Sequence, residues 1–239
     1  MHKKAIDTVI IESNRLFSQY LLSHTALALG QNTLSDFPDS VCIRAVVGLN
    51  VEMEPIPLGE LKHYRAGLPH FLLEIFHGKL VQVWHECLST LFRMLVDFHF
   101  SGMRRFEELK TRSISLDFQV STALEDQIRE RLCRDYDFQR YSDKVKLLNG
   151  VFNPEKKHGD HIMNVAKHIQ IRNSFQHRGG IVDDFLLKEL GLQKLSILNS
   201  DGKLRDYHLN DRIELSVPEF DSLRRSLLRI GQIWRKWDG

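Results

Sequence analysis

Arg172-Asn173-Ser174-Phe175-Gln176-His177-Arg178-Gly179-Gly180 is the stretch on which the reading of this chain turns. Ahead of it, Ile162, Val165 and Ile169 recur every three to four residues, the spacing of one helical face. Behind it stands a Gly pair, and glycine readily takes the left-handed conformation that ends a helix. The nonapeptide therefore closes a helix. At about 1.5 Å of rise per residue, Arg172 and His177 stand about 7.5 Å apart along its axis. Asn173 and His177 form an i,i+4 pair and are surface neighbours.

Cations in a last turn suit the negative end of the helix dipole, so these residues also fit an ordinary capped terminus. The apolar stripe gives them more weight. Three and four residues after Ile169 come Arg172 and Asn173, so the buried face runs straight into a cation and an amide. A buried Arg is costly unless it meets an acid or is retained for function. A guanidinium that keeps its proton beside an imidazole that titrates near neutrality suits chemistry on a phosphodiester.

Ile171 to Gly180 resembles the signature of the HEPN superfamily of all-α domains: an Arg, four to six residues, then a His, with a polar residue directly after the Arg. Four residues separate Arg172 from His177, and Asn173 holds the polar position. The resemblance covers about residues 79 to 237. One branch, toxins that pair with a nucleotidyltransferase antitoxin, carries a Tyr two residues after the His; this chain departs from it with Gly179.

The resemblance implies a helical bundle that pairs with a second copy through the motif helix, the two motifs meeting in one composite site. It implies metal-independent endoribonuclease activity without a cofactor, in which the ribose 2′-OH attacks the adjacent phosphate. In that reading His177 is the general base or acid, Arg172 stabilises the transition state, and Asn173 orients His177 or the phosphate. Arg178 contacts the RNA backbone, with Lys167 and His168 as further RNA contacts. A role in bacterial stress response, toxin–antitoxin pairing or antiviral defence, with an antitoxin or defence partner, follows by the same route. The alternative is a non-catalytic HEPN-like module for dimerisation or for binding RNA, a nucleotide or a protein. There Arg172 pairs with an acid across the interface and His177 caps the helix. A helical DNA-binding regulator ranks last, for lack of a helix-turn-helix.

Charge is consistent with a phosphate-bearing partner. The net +2 is spread unevenly, with 8 Lys/Arg against 10 Asp/Glu in residues 1–100 and 25 against 21 in the rest. Residues 155–180 carry Lys156, Lys157, Lys167, Arg172 and Arg178 against Glu155 and Asp160, with four His besides. No apolar run of membrane-spanning length occurs, and Met1-His2-Lys3-Lys4 lacks the apolar core of a signal peptide. Cys42, Cys87 and Cys133 are distant and odd in number, which argues against disulfides and places the chain in the cytoplasm.

The expected fold is mostly α: a HEPN-like helical bundle over residues 76–239, with a small β-hairpin and an N-terminal α(+β) extension over residues 1–75. Residues 5–29 read as an amphipathic helix, 30–40 as a loop, and Val41 to Met53 as a short strand or extended segment. Pro55, Pro57, Gly59, Gly67 and Pro69 mark a seam. A long apolar helix follows from Lys79 to Phe100, then a charged one over 121–149, and Asn153-Pro154-Glu155 opens the motif helix. A short helix over Val182 to Leu190 stops at Gly191, and a hairpin turns at Asn199-Ser200-Asp201-Gly202. Ser216-Val217-Pro218-Glu219 is a capping box that starts the last helix, with Phe220, Leu223, Leu227, Ile230 and Trp234 on its face.

Other motifs carry less. His85-Glu86-Cys87-Leu88-Ser89 lacks the second His of a zinc-protease helix. His158, His161 and His168 share a helical face at a spacing that metal sites use, though plain solvated histidines are far commoner, and no metal is assigned. His63, His70 and His77 recur every seven residues in a stretch broken by Pro and Gly. Walker A, G-x-G-x-x-G and G-x-S-x-G patterns are absent.

Overall fold

The computed structural model describes residues 2–43, 54–109, 123–155 and 159–238. Helix α1 (His2–Ser35) opens the chain and α2 (Leu58–Phe100) follows. Between them, β1 (Cys42–Ile43) pairs antiparallel with β2 (Ile56–Pro57). A 3-10 turn at Glu107–Leu109 leads to α3 (Leu124–Asp137), α4 (Tyr141–Phe152), α5 (Gly159–Arg178) and α6 (Asp184–Leu190). Strands β3 (Leu195–Leu198) and β4 (Leu204–Tyr207) form the hairpin, with Leu195 opposite Tyr207, and α7 (Val217–Trp234) comes last. The chain is mostly helical with a small β-hairpin. Among the described residues, no helix is long and apolar enough to cross a membrane.

Helix α2 is central: α1, α3, α4, α5 and α7 all pack on it. Leu80, Trp84, Leu88, Leu91 and Leu95 recur at helical spacing and are all buried, each contributing about 1.5–3 kcal/mol relative to exposure. Helix α7 turns Phe220, Leu223, Leu227, Ile230 and Trp234 inward, as its periodicity predicts. The rings of Trp84 and Trp234 meet at 5.4 Å. Helices α1 and α7 approach closely at Gly231, where a Cβ would lie 3.2 Å from Ile10 Cδ1 and 3.3 Å from Ile6 Cγ2.

Five expectations differ from the structure. Helix α1 runs to Ser35 through Gly30, which a helix tolerates at about 1 kcal/mol, and stops just short of Pro38. The seam at 55–70 is mostly helix, because α2 starts at Leu58 and continues through Gly67 and Pro69. Burial of Leu58 and Leu73 offsets the unfavourable propensity there. The boundary at 75/76 thus falls inside α2, and Ile6, Val9, Leu16 and Tyr20 of α1 share one core with the later helices. The helix over 121–149 is two, α3 and α4, split after Asp137. Lys144 Nζ donates to the Asp137 carbonyl (2.7 Å), and Tyr136 stacks on Phe92 with centroids 4.0 Å apart, fixing the corner. Pro154 and Glu155 form a turn rather than the start of the motif helix, which is described from Gly159, with 156–158 outside the described residues. Of the Val41 to Met53 segment, Cys42–Ile43 is strand, and 44–53 lie outside the described residues.

Candidate functional site

The last turn of α5 is held by its own sequence. Gly179 (φ +61°) and Gly180 (φ +78°) turn the chain, and the Gly180 N–H returns to the Ser174 carbonyl at 3.1 Å. Ser174, fully buried, donates to the Ile181 carbonyl at 2.7 Å. The Gly180 carbonyl in turn accepts from Ile213 N (2.8 Å). A Cβ on Gly180 would lie 2.8 Å from Phe175 Cε1, so any side chain there must displace that ring.

Arg178 does not reach outward. Its Nε and Nη1 fork onto Asp183 (2.8 and 3.0 Å), and its guanidinium lies over the Phe185 ring at 4.8 Å. Asp183 also accepts from Leu186 N (2.8 Å) and so caps α6. The pair joins the end of α5 to the start of α6.

Arg172 is half-buried. Its Nη1 donates to Asn173 Oδ1 (3.2 Å), while Nε is buried without a partner. Among the described residues no carboxylate pairs with it. Burial pulls its pKa below the ordinary value, yet an Arg remains a cation. His177 is exposed. Five residues of helix set Arg172 and His177 about 140° apart around the axis. Arg172 looks toward α2, where it lines a cavity with His77, Gly78 and Gln82. One chain therefore joins Arg172 to Asn173 by a hydrogen bond, while His177 leaves the helix in a different direction from Arg172.

Lys167 and His168 both turn toward Glu219, His168 with no exposed surface and the Lys167 side chain with 17% of its own. His168 is fully buried, and its Nδ1 lies 3.1 Å from Nε2 of His77, also fully buried. Its Nε2 lies 3.2 Å from Ser222 Oγ and 3.3 Å from Glu219 Oε1. Lys167 Nζ sits 2.6 Å from that same Glu219 oxygen, an ion pair off the line a hydrogen bond would take. Oε2 of Glu219 accepts from Leu198 N (2.8 Å).

The tautomers follow from this chain of contacts. Ser222 Oγ donates to the Glu219 carbonyl (2.8 Å), so it accepts from His168 Nε2–H. His168 Nδ1 is then bare and accepts from His77 Nε2–H, and Nδ1 of His77 is left as a lone pair without a partner. Burial, with Arg172 nearby, lowers the His77 pKa to about 3. Burial, then His77 and Lys167, hold His168 well below its usual value. His85 is lowered to about 4 by burial, then by Lys144 and Arg172.

Sequence reasoning gave Ser174 no role, set His77 aside with His63 and His70, and missed Ser222 and the true partners of Glu219. Ser216 does cap α7, its Oγ accepting from Glu219 N (3.2 Å), but the Glu219 side chain turns to α5 and β3. The only sequence signal for this was a charged residue beside Phe220 on a core-facing helix. His158 lies outside the described residues, and His161 Nδ1 meets Ser226 Oγ at 3.2 Å. Among the described residues no group of three or more His, Cys, Asp or Glu is placed to hold a metal. No known protein family, characterised protein or solved structure matches the chain.

Proposed function

We propose that this protein is a HEPN-like, metal-independent endoribonuclease whose site is completed by a second copy of the chain. The observation that carries the reading is the state of the two motif residues. Arg172 has no carboxylate to neutralise it among the described residues, and His177 stands exposed at the end of the same helix. The divergence of Arg172 and His177 around α5 is what a composite site requires, since the two side chains leave the helix about 140° apart. In the reaction, one imidazole takes the proton of the 2′-OH as its oxygen bonds to phosphorus. The 5′ oxygen leaves with a proton from the second imidazole, giving a 2′,3′-cyclic phosphate and a 5′-OH. Arg172 stabilises the added charge on the phosphorane. Of the wider set of RNA contacts, His168 is fully buried, while Arg178 and Lys167 are part-exposed and held in ion pairs with Asp183 and Glu219.

The rival, a dimerisation or binding module, draws on the same half-buried Arg172, which would meet an acid of the second copy. Cleavage of bulk cellular RNA in EDTA by wild type, Arg172→Ala and His177→Ala separates the two. Loss of cleavage in both variants, with oligomeric state intact, fits the enzyme. A folded wild-type dimer that leaves RNA uncut, or an Arg172→Ala that dissociates, fits the module.

A further inference from the structure

A cavity of about 310 Å³ opens between α2 and α5, walled by Phe71, Gly78, Gln82 and Phe175, with His77 and Arg172 in its lining. Each of these last two carries one buried polar atom without a partner, Nδ1 of His77 and Nε of Arg172. Their characters are opposite. The hydrogen-bond chain through Ser222 and His168 leaves His77 Nδ1 a lone pair that needs a donor. Arg172 Nε is an N–H that needs an acceptor. Buried polar atoms in native proteins are nearly always paired, so two complementary orphans on residues that line one cavity point to a ligand with both functions.

We propose that this cavity takes a nucleobase through its lactam edge, the ring N–H donating to His77 and the neighbouring carbonyl accepting from Arg172. The inference rests on the ribonuclease reading and makes the cavity its base-binding subsite. A phosphate or carboxylate offers acceptors alone and would leave His77 unserved. Uracil and guanine carry a ring N–H beside a carbonyl, whereas adenine has no carbonyl and cytosine has a bare ring nitrogen there. The aromatic walls, Phe71 and Phe175, suit a flat ring, and the volume accommodates one base. Asn173 holds Nη1 of Arg172, so Nε serves the base while the rest of the guanidinium remains for phosphate.

The experiment is a titration of the full chain, 15N-labelled at histidine, with the 5′-monophosphates of uridine, guanosine and adenosine and with ribose 5-phosphate. The expected result is a saturable shift of the His77 Nδ1 resonance with the uridine and guanosine nucleotides only. Phe71→Ala, at a position that is 57% exposed, should weaken that binding at least fivefold. A His77 signal unmoved by every nucleotide would overturn the proposal, as would an equal shift with ribose 5-phosphate or adenosine monophosphate. RNA cleavage is assayed on the same samples. Cleavage without a His77 shift removes this subsite and leaves the ribonuclease, whereas a shift without cleavage keeps the subsite and removes the ribonuclease.

Discussion

His77 and His168, 91 positions apart in sequence, meet through Nε2 and Nδ1 at 3.1 Å with neither ring exposed. Helices α2 and α5 are thus joined in the interior by two imidazoles, both neutral in the fold. The join has a pH signature. A histidine whose folded pKa lies below its unfolded value of about 6.5 binds protons more readily once unfolded. Its stabilisation is whole above that value and is lost as pH falls toward the folded pKa, about 3 for His77.

Between pH 7 and pH 5, His77 alone should therefore cost about 2 kcal/mol of stability, at about 1.4 kcal/mol per unit below 6.5. Urea unfolding at the two pH values should show at least this loss, since His168 and His85 are lowered as well and add in the same direction. Equal midpoints at unchanged slope would show that the pair is not buried neutral.

Glu219 faces a cation, an imidazole and a backbone N–H at once. Glu219→Ala leaves Lys167 half-enclosed and the Leu198 amide unpaired, and should destabilise by about 3 kcal/mol. Glu219→Gln keeps an acceptor for Leu198 and should lose about half as much. Denaturant midpoints rank the two variants, and the reverse order would contradict the role of the charge.

The adjacent glycines should differ sharply. Gly179→Ala meets open space and bears only the left-handed φ, about 1–2 kcal/mol. Gly180→Ala adds a collision with the Phe175 ring, and a further 1–3 kcal/mol is expected. Thermal unfolding of the pair decides, and equal losses would mean that Phe175 moves aside freely.

His177→Ala should leave stability within about 0.5 kcal/mol of wild type, since the side chain is exposed. A larger loss would reveal a structural role and weaken any catalytic one.

Periodicity made the helices of this fold legible wherever one face is apolar, as in α7 and the second half of α2. The hairpin and the ends of α5 and α6 were legible because Gly191, Gly202 and the 179–180 pair mark them. Two features were hidden for physical reasons. Gly67 and Pro69 read as breakers, yet core packing at Leu58 and Leu73 overrides local propensity. The α3–α4 corner carries neither Gly nor Pro and depends on the tertiary contacts of Lys144 and Tyr136. At the site, the motif marked Arg172, Asn173 and His177 but could not say which basic neighbours face water. Lys167 and His168 lie on the inner side of α5, and their partners sit on α2 and α7, far away in sequence.

One carboxylate, that of Glu219, ties the first turn of α7 to the middle of α5 and to the last residue of β3. These three elements therefore cannot loosen one at a time, because releasing any one strands a charge or an amide belonging to the others. The hairpin, small and peripheral as it is, opens only when the helical core does. Its Leu198 amide should exchange with deuterium at the rate of global unfolding, where an independent two-stranded hairpin would exchange almost at once.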